Sequence, residues 1–176
     1  MIIQGRVVRI RGDNIDTDVL YPGPFLNLED PELMKNHLFE GLDPLLRNRL
    51  RGDTALVVDS NFGSGSSREH VPRAMKASGV RCVIARSFAR IFYRNCINLG
   101  LLALAEPRLV GLAHDDDILA IDLEAEIATI GHSMLPLRGL HPFIVEAIAA
   151  GGFVEWAREH PPGAAPAVAG VSLPRE

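Results

Sequence analysis

Apolar residues fall along this chain in two rhythms. Short runs rich in β-branched residues alternate with stretches whose apolar positions recur three and four apart. Residues 5–10 read as a first strand, with Val7, Val8 and Ile10 supplying β-branched side chains. Arg11-Gly12-Asp13-Asn14 is turn chemistry. A helix is predicted from Asp30-Pro31, an N-cap followed by proline, to a stop at Gly41, with Leu33, Met34, Leu38 and Phe39 on one face. Residues 54–59 read as a buried strand. Next comes a helix capped by Ser66 or Ser67 and running to Ser78 before Gly79. Pro72 fits that helix only if its first turn lies near Glu69. Residues 80–85 form the next predicted strand. A cap at Ser87 then opens a helix through Leu99, closed by Gly100, with Phe88, Ile91, Phe92 and Cys96 at helical spacing. Residues 118–123 and 126–130 read as a hairpin around Glu124-Ala125. Residues 142–150 read as a helix stopped by Gly151-Gly152.

Strand, helix, strand, helix in this order predicts an α/β fold built on parallel strands with right-handed crossovers. No internal repeat or dividing linker interrupts residues 1–160, which read as one domain. Residues 161–176 turn to proline, alanine and glycine and are expected to form a disordered tail.

Composition adds mainly exclusions. The chain has 176 residues, 47% hydrophobic and 23% charged, as in an ordinary globular protein. A net charge of −4 gives no footprint of a nucleic-acid binder. No run is long enough to span a membrane, and the N-terminus lacks a signal pattern, so a cytoplasmic location is the expectation. Cys82 and Cys96 read as reduced core thiols, with a disulfide or metal pair as the alternative. Two cysteines without CxxC spacing cannot by themselves hold an iron–sulfur cluster.

The segment between the second strand and its helix carries the chemistry: Gly63-Ser64-Gly65-Ser66-Ser67-Arg68-Glu69-His70. It is not a P-loop, because no lysine follows the glycines. It is neither the GxGxxG fingerprint nor a GxSxG nucleophile elbow, because Arg68 and Glu69 stand where glycine is required. A helix N-terminus, two hydroxyls and an arginine fork together suit a carboxylate-bearing ligand. The same donors could favour a serine alkoxide acting as a base, given enough local positive charge. A structural turn before a capped helix is the plainer reading of the octapeptide.

Extended by Asn61-Phe62, this segment resembles the signature of the 3-isopropylmalate dehydratase small-subunit family, the swivelling domain of the aconitase superfamily. Asp13-Asn14-Ile15-Asp16-Thr17-Asp18 is similar to the family's N-terminal motif. The central helix, Ser87-Phe88-Ala89-Arg90-Ile91-Phe92-Tyr93-Arg94-Asn95-Cys96-Ile97-Asn98-Leu99-Gly100, also matches, and Pro142-Phe143-Ile144 through Ala150-Gly151-Gly152 resembles the family's C-terminal segment. The resemblance implies a compact three-layer β/β/α domain. It implies a two-subunit hydro-lyase acting on a small hydroxy di- or tricarboxylate, with a [4Fe-4S] cluster on a large partner subunit and no cofactor in this chain. Carried over to this sequence, it makes Ser66 the general base. Ser67 and Arg68 become carboxylate ligands, with Thr17 and Asp18 lining the site.

Two departures bear on this. Ser64 stands where many relatives have cysteine. The segment Tyr21-Pro22-Gly23-Pro24-Phe25-Leu26-Asn27 carries no arginine, whereas aconitase-like relatives have one in this region for a substrate carboxylate. An apolar loop favours isopropylmalate or a methylated malate over a tricarboxylate. Subunits of homoaconitase or 2,3-dimethylmalate dehydratase share the motifs and stay open. So do a non-catalytic carboxylate-binding module and an interaction protein without its partner.

Arg86, Arg90 and Arg94 recur four apart and predict one stripe on the central helix, either facing a partner or solvated. His70 is expected to pack behind the loop, the remaining histidines receive no role, and Asp115-Asp116-Asp117 reads as a solvated turn.

Overall fold

The computed structural model describes residues 1–137 and 140–161. The predicted tail from residue 162 onward lies outside them. Seven strands form one mixed sheet in the order β4-β3-β2-β1-β5-β6-β7. The parallel half comprises β1 (Ile2–Ile10), β2 (Thr54–Val58), β3 (Val80–Ala85) and β4 (Leu102–Ala105). β5 (Ile118–Asp122), β6 (Ile127–Ile130) and β7 (Ser133–Pro136) add an antiparallel meander on the other side of β1. Every residue of β2 is buried, as its unbroken apolar run predicts for a strand covered on both faces.

One face of the parallel half is covered by α1 (Thr17–Leu20), α2 (Pro31–Met34), α3 (His70–Ala77) and α4 (Arg90–Asn98). Leu20, Met34, Met75 and Phe92 pack there on Leu56, Val58 and Val83. The opposite face forms a second cluster. It gathers Val57 and Ile84 of the parallel half with Ile121, Ala128 and Leu135 of the meander. It also takes residues of α5 (Pro107–Leu112) and α6 (Pro142–Ala149). The two expected β layers are therefore two halves of one continuous sheet. A last helix, α7 (Phe153–Glu159), packs against α6.

Several predicted boundaries move, each for a tertiary reason. The helix expected from Asp30 to Gly41 gives way after Met34 to a 3-10 turn, Lys35–His37. Phe39 is then left-handed, at φ 62°. Phe39 N donates to Leu20 O at 2.7 Å and Gly41 N to Val19 O at 3.0 Å, so the chain turns to meet α1 rather than itself.

Neither Ser66 nor Ser67 caps α3, which starts at His70 with Glu69 ahead of it. Pro72 falls in the first turn, where its missing N–H costs no helical bond. Ser87 does not cap α4 either: its Oγ accepts from Asn61 N at 2.8 Å, while Ala89 precedes the helix in extended conformation. Arg86 consequently lies off the helix, beside Asp59 at 3.9 Å, and only Arg90 and Arg94 of the predicted stripe are helical. The Asp115–Asp117 turn is bonded rather than merely solvated. Asp115 accepts from Arg9 N at 2.7 Å and pairs with Arg49, and Asp117 accepts from His114 N at 2.8 Å.

Candidate functional site

The loops that leave β1 and β2 emerge side by side, because these strands are parallel neighbours with Ile10 opposite Val58. Ligands of open α/β sheets gather at such carboxyl ends. The two loops are joined along their whole length. At the foot, Asp59 accepts from Gly12 N at 2.9 Å and from Arg9 Nη2 at 2.7 Å. Asp13 Oδ1 accepts from Ser60 N at 2.8 Å, and Asn14 N donates to Ser60 O at 2.9 Å. Further out, Gly63 N donates to Ile15 O at 2.9 Å and Thr17 N to Ser64 O at 2.8 Å. The parallel pairing of the strands thus continues as a run of loop bonds up to the chemical groups.

Gly63 and Gly65 make this approach possible. Both have left-handed backbones, at φ 77° and 91°. A β-carbon at Gly63 would fall 2.2 Å from Phe92 Cγ, and Phe92 packs edge-on against Phe62 with ring centroids 5.3 Å apart. The loop therefore rests on the aromatic floor provided by α4.

At the outer end, four of the five predicted catalytic and carboxylate-binding residues meet in direct contact. Ser66 Oγ donates to Asp18 Oδ1 at 3.0 Å and accepts from Arg68 Nε at 2.9 Å. Arg68 Nη2 lies 2.8 Å from Asp18 Oδ1, and Nη1 donates to Tyr21 O at 2.6 Å. Thr17 is buried, and its Oγ1 donates to Ser66 O at 2.9 Å. Ser67 is the fifth; it is exposed on the same turn. Ser66 is also exposed, whereas the Arg68 side chain keeps only 13% of its surface. Two of the five guanidinium N–H groups of Arg68 are committed as hydrogen bonds, to Ser66 and Tyr21. Nη2 is further engaged by Asp18 at 2.8 Å, which leaves one N–H on each of Nη1 and Nη2 for an anion arriving from solvent.

The segment from Tyr21 to Asn27 is tied to this cluster by its first residue. Tyr21 is fully buried, with its hydroxyl on Phe25 O at 3.2 Å and its ring 5.5 Å from His70. Burial pushes its phenol above the usual range. Pro22 leads into a 3-10 turn, Gly23–Phe25, which contains Pro24. Phe25 stacks on His37 at 3.7 Å, leaving Leu26 and Asn27 exposed.

Two contributors, Asp16 and the Arg9–Asp59 pair, were not legible as site residues. Asp16 caps α1, accepting from Asp18 N at 2.6 Å, and so aims Asp18 at the cluster. The aspartate two residues before Asp18 is a cap signal that could have found it. Arg9 with Asp59 contributes a buried pair across strands, which leaves no local sequence signal. Tyr21, the first residue of the predicted specificity segment, acts on the cluster through its backbone carbonyl.

Among the described residues no group of three or more His, Cys, Asp or Glu could hold a metal ion. Cys82 and Cys96 are free and buried in opposite core clusters, so this chain's thiols do not fit a shared cluster. An apolar cavity of about 670 Å³ between α4, α6 and α7 is lined by residues such as Tyr93, Ile97 and Phe143, none from the two loops. No described helix is long and apolar enough to cross a membrane.

Residues 44–109 match the family described as aconitase C-terminal domain. The 3-isopropylmalate dehydratase small subunit of Caldanaerobacter subterraneus is 44% identical over 160 residues, covering 89% of this chain and 98% of that protein. The 2,3-dimethylmalate dehydratase small subunit of Eubacterium barkeri is 43% identical over 158 residues, covering 89% of this chain and 96% of its own length. The crystal structure of a 3-isopropylmalate dehydratase from Methanocaldococcus jannaschii superposes with a TM-score of 0.76. It is 38% identical and covers 91% of this chain and 95% of that one.

Proposed function

The chain belongs to the 3-isopropylmalate dehydratase small-subunit family, and we propose that it interconverts 2-isopropylmalate and 3-isopropylmalate with a large subunit, by dehydration and rehydration. This is a step of leucine biosynthesis, and the enzyme works in the cytoplasm, in keeping with its free buried thiols. The observation that carries the reading is Ser66 Oγ. It is exposed at the loop tip and held from two sides by Asp18 and Arg68.

Ser66 is the base that removes the carbon-bound proton. The uncommitted N–H groups of Arg68 and the exposed Ser67 hydroxyl take a substrate carboxylate, a charge-assisted contact that fixes the carbon against Ser66. Thr17 braces the loop from behind through Ser66 O, while Asp18 lines the same edge. The partner subunit carries a [4Fe-4S] cluster, which supplies a Lewis acid for the departing hydroxyl. Leu26, exposed on the arginine-free stretch from Tyr21 to Asn27, offers apolar surface to an alkyl substituent. A carboxylate at that position would find no charged partner from the loop.

The test is anaerobic co-purification with a large subunit, followed by assays on 2-isopropylmalate, 2,3-dimethylmalate and homocitrate. Highest kcat/KM on 2-isopropylmalate supports the reading. Preference for dimethylmalate would move the substrate to that of the Eubacterium relative, and activity on homocitrate alone would overturn the apolar-loop argument. Full activity of Ser66→Ala would remove the base assignment.

A further inference from the structure

We infer that Asp18 is the proton acceptor of a two-step relay in which Ser66 hands its own hydroxyl proton to Asp18 Oδ1 as it takes the proton from substrate carbon. The inference rests on the proposed role of Ser66 and deepens it.

The hydrogen-bond inventory of the site fixes the direction of the relay. Arg68 Nε can only donate, so Ser66 Oγ must accept from it at 2.9 Å. An ionised carboxylate can only accept, so the Ser66 proton must point to Asp18 Oδ1 at 3.0 Å. One lone pair of Oγ is left, on an exposed residue. The hydroxyl therefore presents an acceptor to solvent and substrate while its proton already lies on the path to a carboxylate.

A preformed alkoxide suits this geometry poorly. It would stand 3.0 Å from a second anion, with Arg68 shared between the two through Nε and Nη2. Like charges this close oppose joint ionisation. Passing the proton on avoids that state. The carbon-bound hydrogen leaves as a proton to the free lone pair of Ser66 Oγ, and its bonding electrons enter the new carbon–carbon double bond. The hydroxyl departs from the neighbouring carbon as hydroxide with its own bonding pair, which the Lewis acid of the partner subunit would accept. The original Ser66 proton moves to Asp18, which becomes neutral, while Ser66 ends as the hydroxyl it was. Rehydration runs the same transfers backwards.

The arrangement is held for this purpose from outside the pair. Asp16 fixes Asp18 through its backbone N–H at 2.6 Å, and Tyr21 O holds Arg68 Nη1 at 2.6 Å. Neither contact uses the Asp18 carboxylate itself.

The discriminating variant is Asp18→Asn in the reconstituted two-subunit enzyme. Asparagine keeps an oxygen to accept from Ser66 but cannot take its proton, so the relay stops with the geometry preserved. The expected result is a fall in kcat of about 100-fold or more with KM changed by less than about threefold and thermal midpoint unchanged. In wild type, substrate C–H does not exchange with solvent, so the relay moves one solvent-derived proton during dehydration, that of Ser66, and the rate in mixtures of light and heavy water should fall linearly with deuterium fraction. A kcat for Asp18→Asn equal to or above wild type would overturn the relay and favour an alkoxide, whose neighbouring negative charge the variant removes. A dehydration rate independent of deuterium fraction would overturn it without any variant, because no Ser66 proton would then be moving. Ser66→Ala separates the layers: its inactivity beside an active Asp18→Asn sinks the relay alone, whereas its full activity sinks the base assignment beneath it.

Discussion

Asp16 lies directly over Gly65: a β-carbon at position 65 would stand 2.4 Å from Asp16 Oδ2, on a residue whose φ is 91°. The carboxylate that occupies this space also accepts from Asp18 N. The backbone of the second loop and the aim of the first are thus set by one contact.

Gly65→Ala is therefore expected to disturb chemistry more than folding. The left-handed backbone costs a non-glycine residue about 1–3 kcal/mol, and the methyl group displaces Asp16 and with it Asp18. Activity of the reconstituted enzyme should fall by about 100-fold, while the far-ultraviolet circular dichroism stays that of wild type. Wild-type kcat would show that the contact does not position Asp18.

Arg68→Lys tests whether a fork is needed rather than a charge. The guanidinium reaches Ser66 Oγ, Tyr21 O and Asp18 Oδ1 together, and one ammonium cannot replace all three directions. Losing charge-assisted bonds worth about 1.5–3 kcal/mol should lower kcat/KM by about 10- to 100-fold. Steady-state kinetics on 2-isopropylmalate provide the measurement, and an unchanged kcat/KM would refute the fork.

The buried pair at the foot of the loops should govern acid stability. The Gly12 N–H and, after it, the Arg9 guanidinium hold the Asp59 carboxyl below its usual range, against the opposing effect of burial. A folded-state pKa below the unfolded value of about 3.9 means stabilisation that is full above that value. It is lost as pH falls through the folded pKa. Asp59→Asn should cost about 3 kcal/mol near neutrality, because it leaves Arg9 buried with 6% of its side chain exposed. Thermal midpoints of wild type and variant should converge as pH falls below about 4. Parallel curves would place the acid sensitivity elsewhere.

Thiol chemistry reports on the two cores. Burial pushes Cys82 up to about 12 and raises Cys96 as well. Neither ionises at pH 8, and neither is accessible. A thiol reagent should label no cysteine in the native protein and both in denaturant. Rapid native labelling of either would contradict the packing.

Much of the fold is written locally. The buried runs of β2 and β3 and the hairpin of β5 and β6 appear at their predicted places, because continuous apolar runs and turn residues act over short range. β4 and α7 were not distinguished. Leu101-Leu102-Ala103-Leu104-Ala105 has helix-forming residues, and only pairing of Cys82 with Leu102 and its neighbours makes it a strand. The false caps at Ser66 and Ser87 have the same origin. Both serines have the right chemistry, but other partners claimed their hydroxyls, Asp18 and Arg68 that of Ser66 and Asn61 N that of Ser87.

The octapeptide and the Asp13–Asp18 motif were visible in the sequence by themselves, as was the α/β class. Residue types and local spacing carry that information. Which atoms meet was decided only in three dimensions. The parallel register of β1 and β2 sets Asp18 against Ser66 across a sequence separation of 48 residues. The buried foot at Arg9 and Asp59 and the cap at Asp16 hold it there. Such contacts depend on strand register and close backbone approach, which no local pattern encodes.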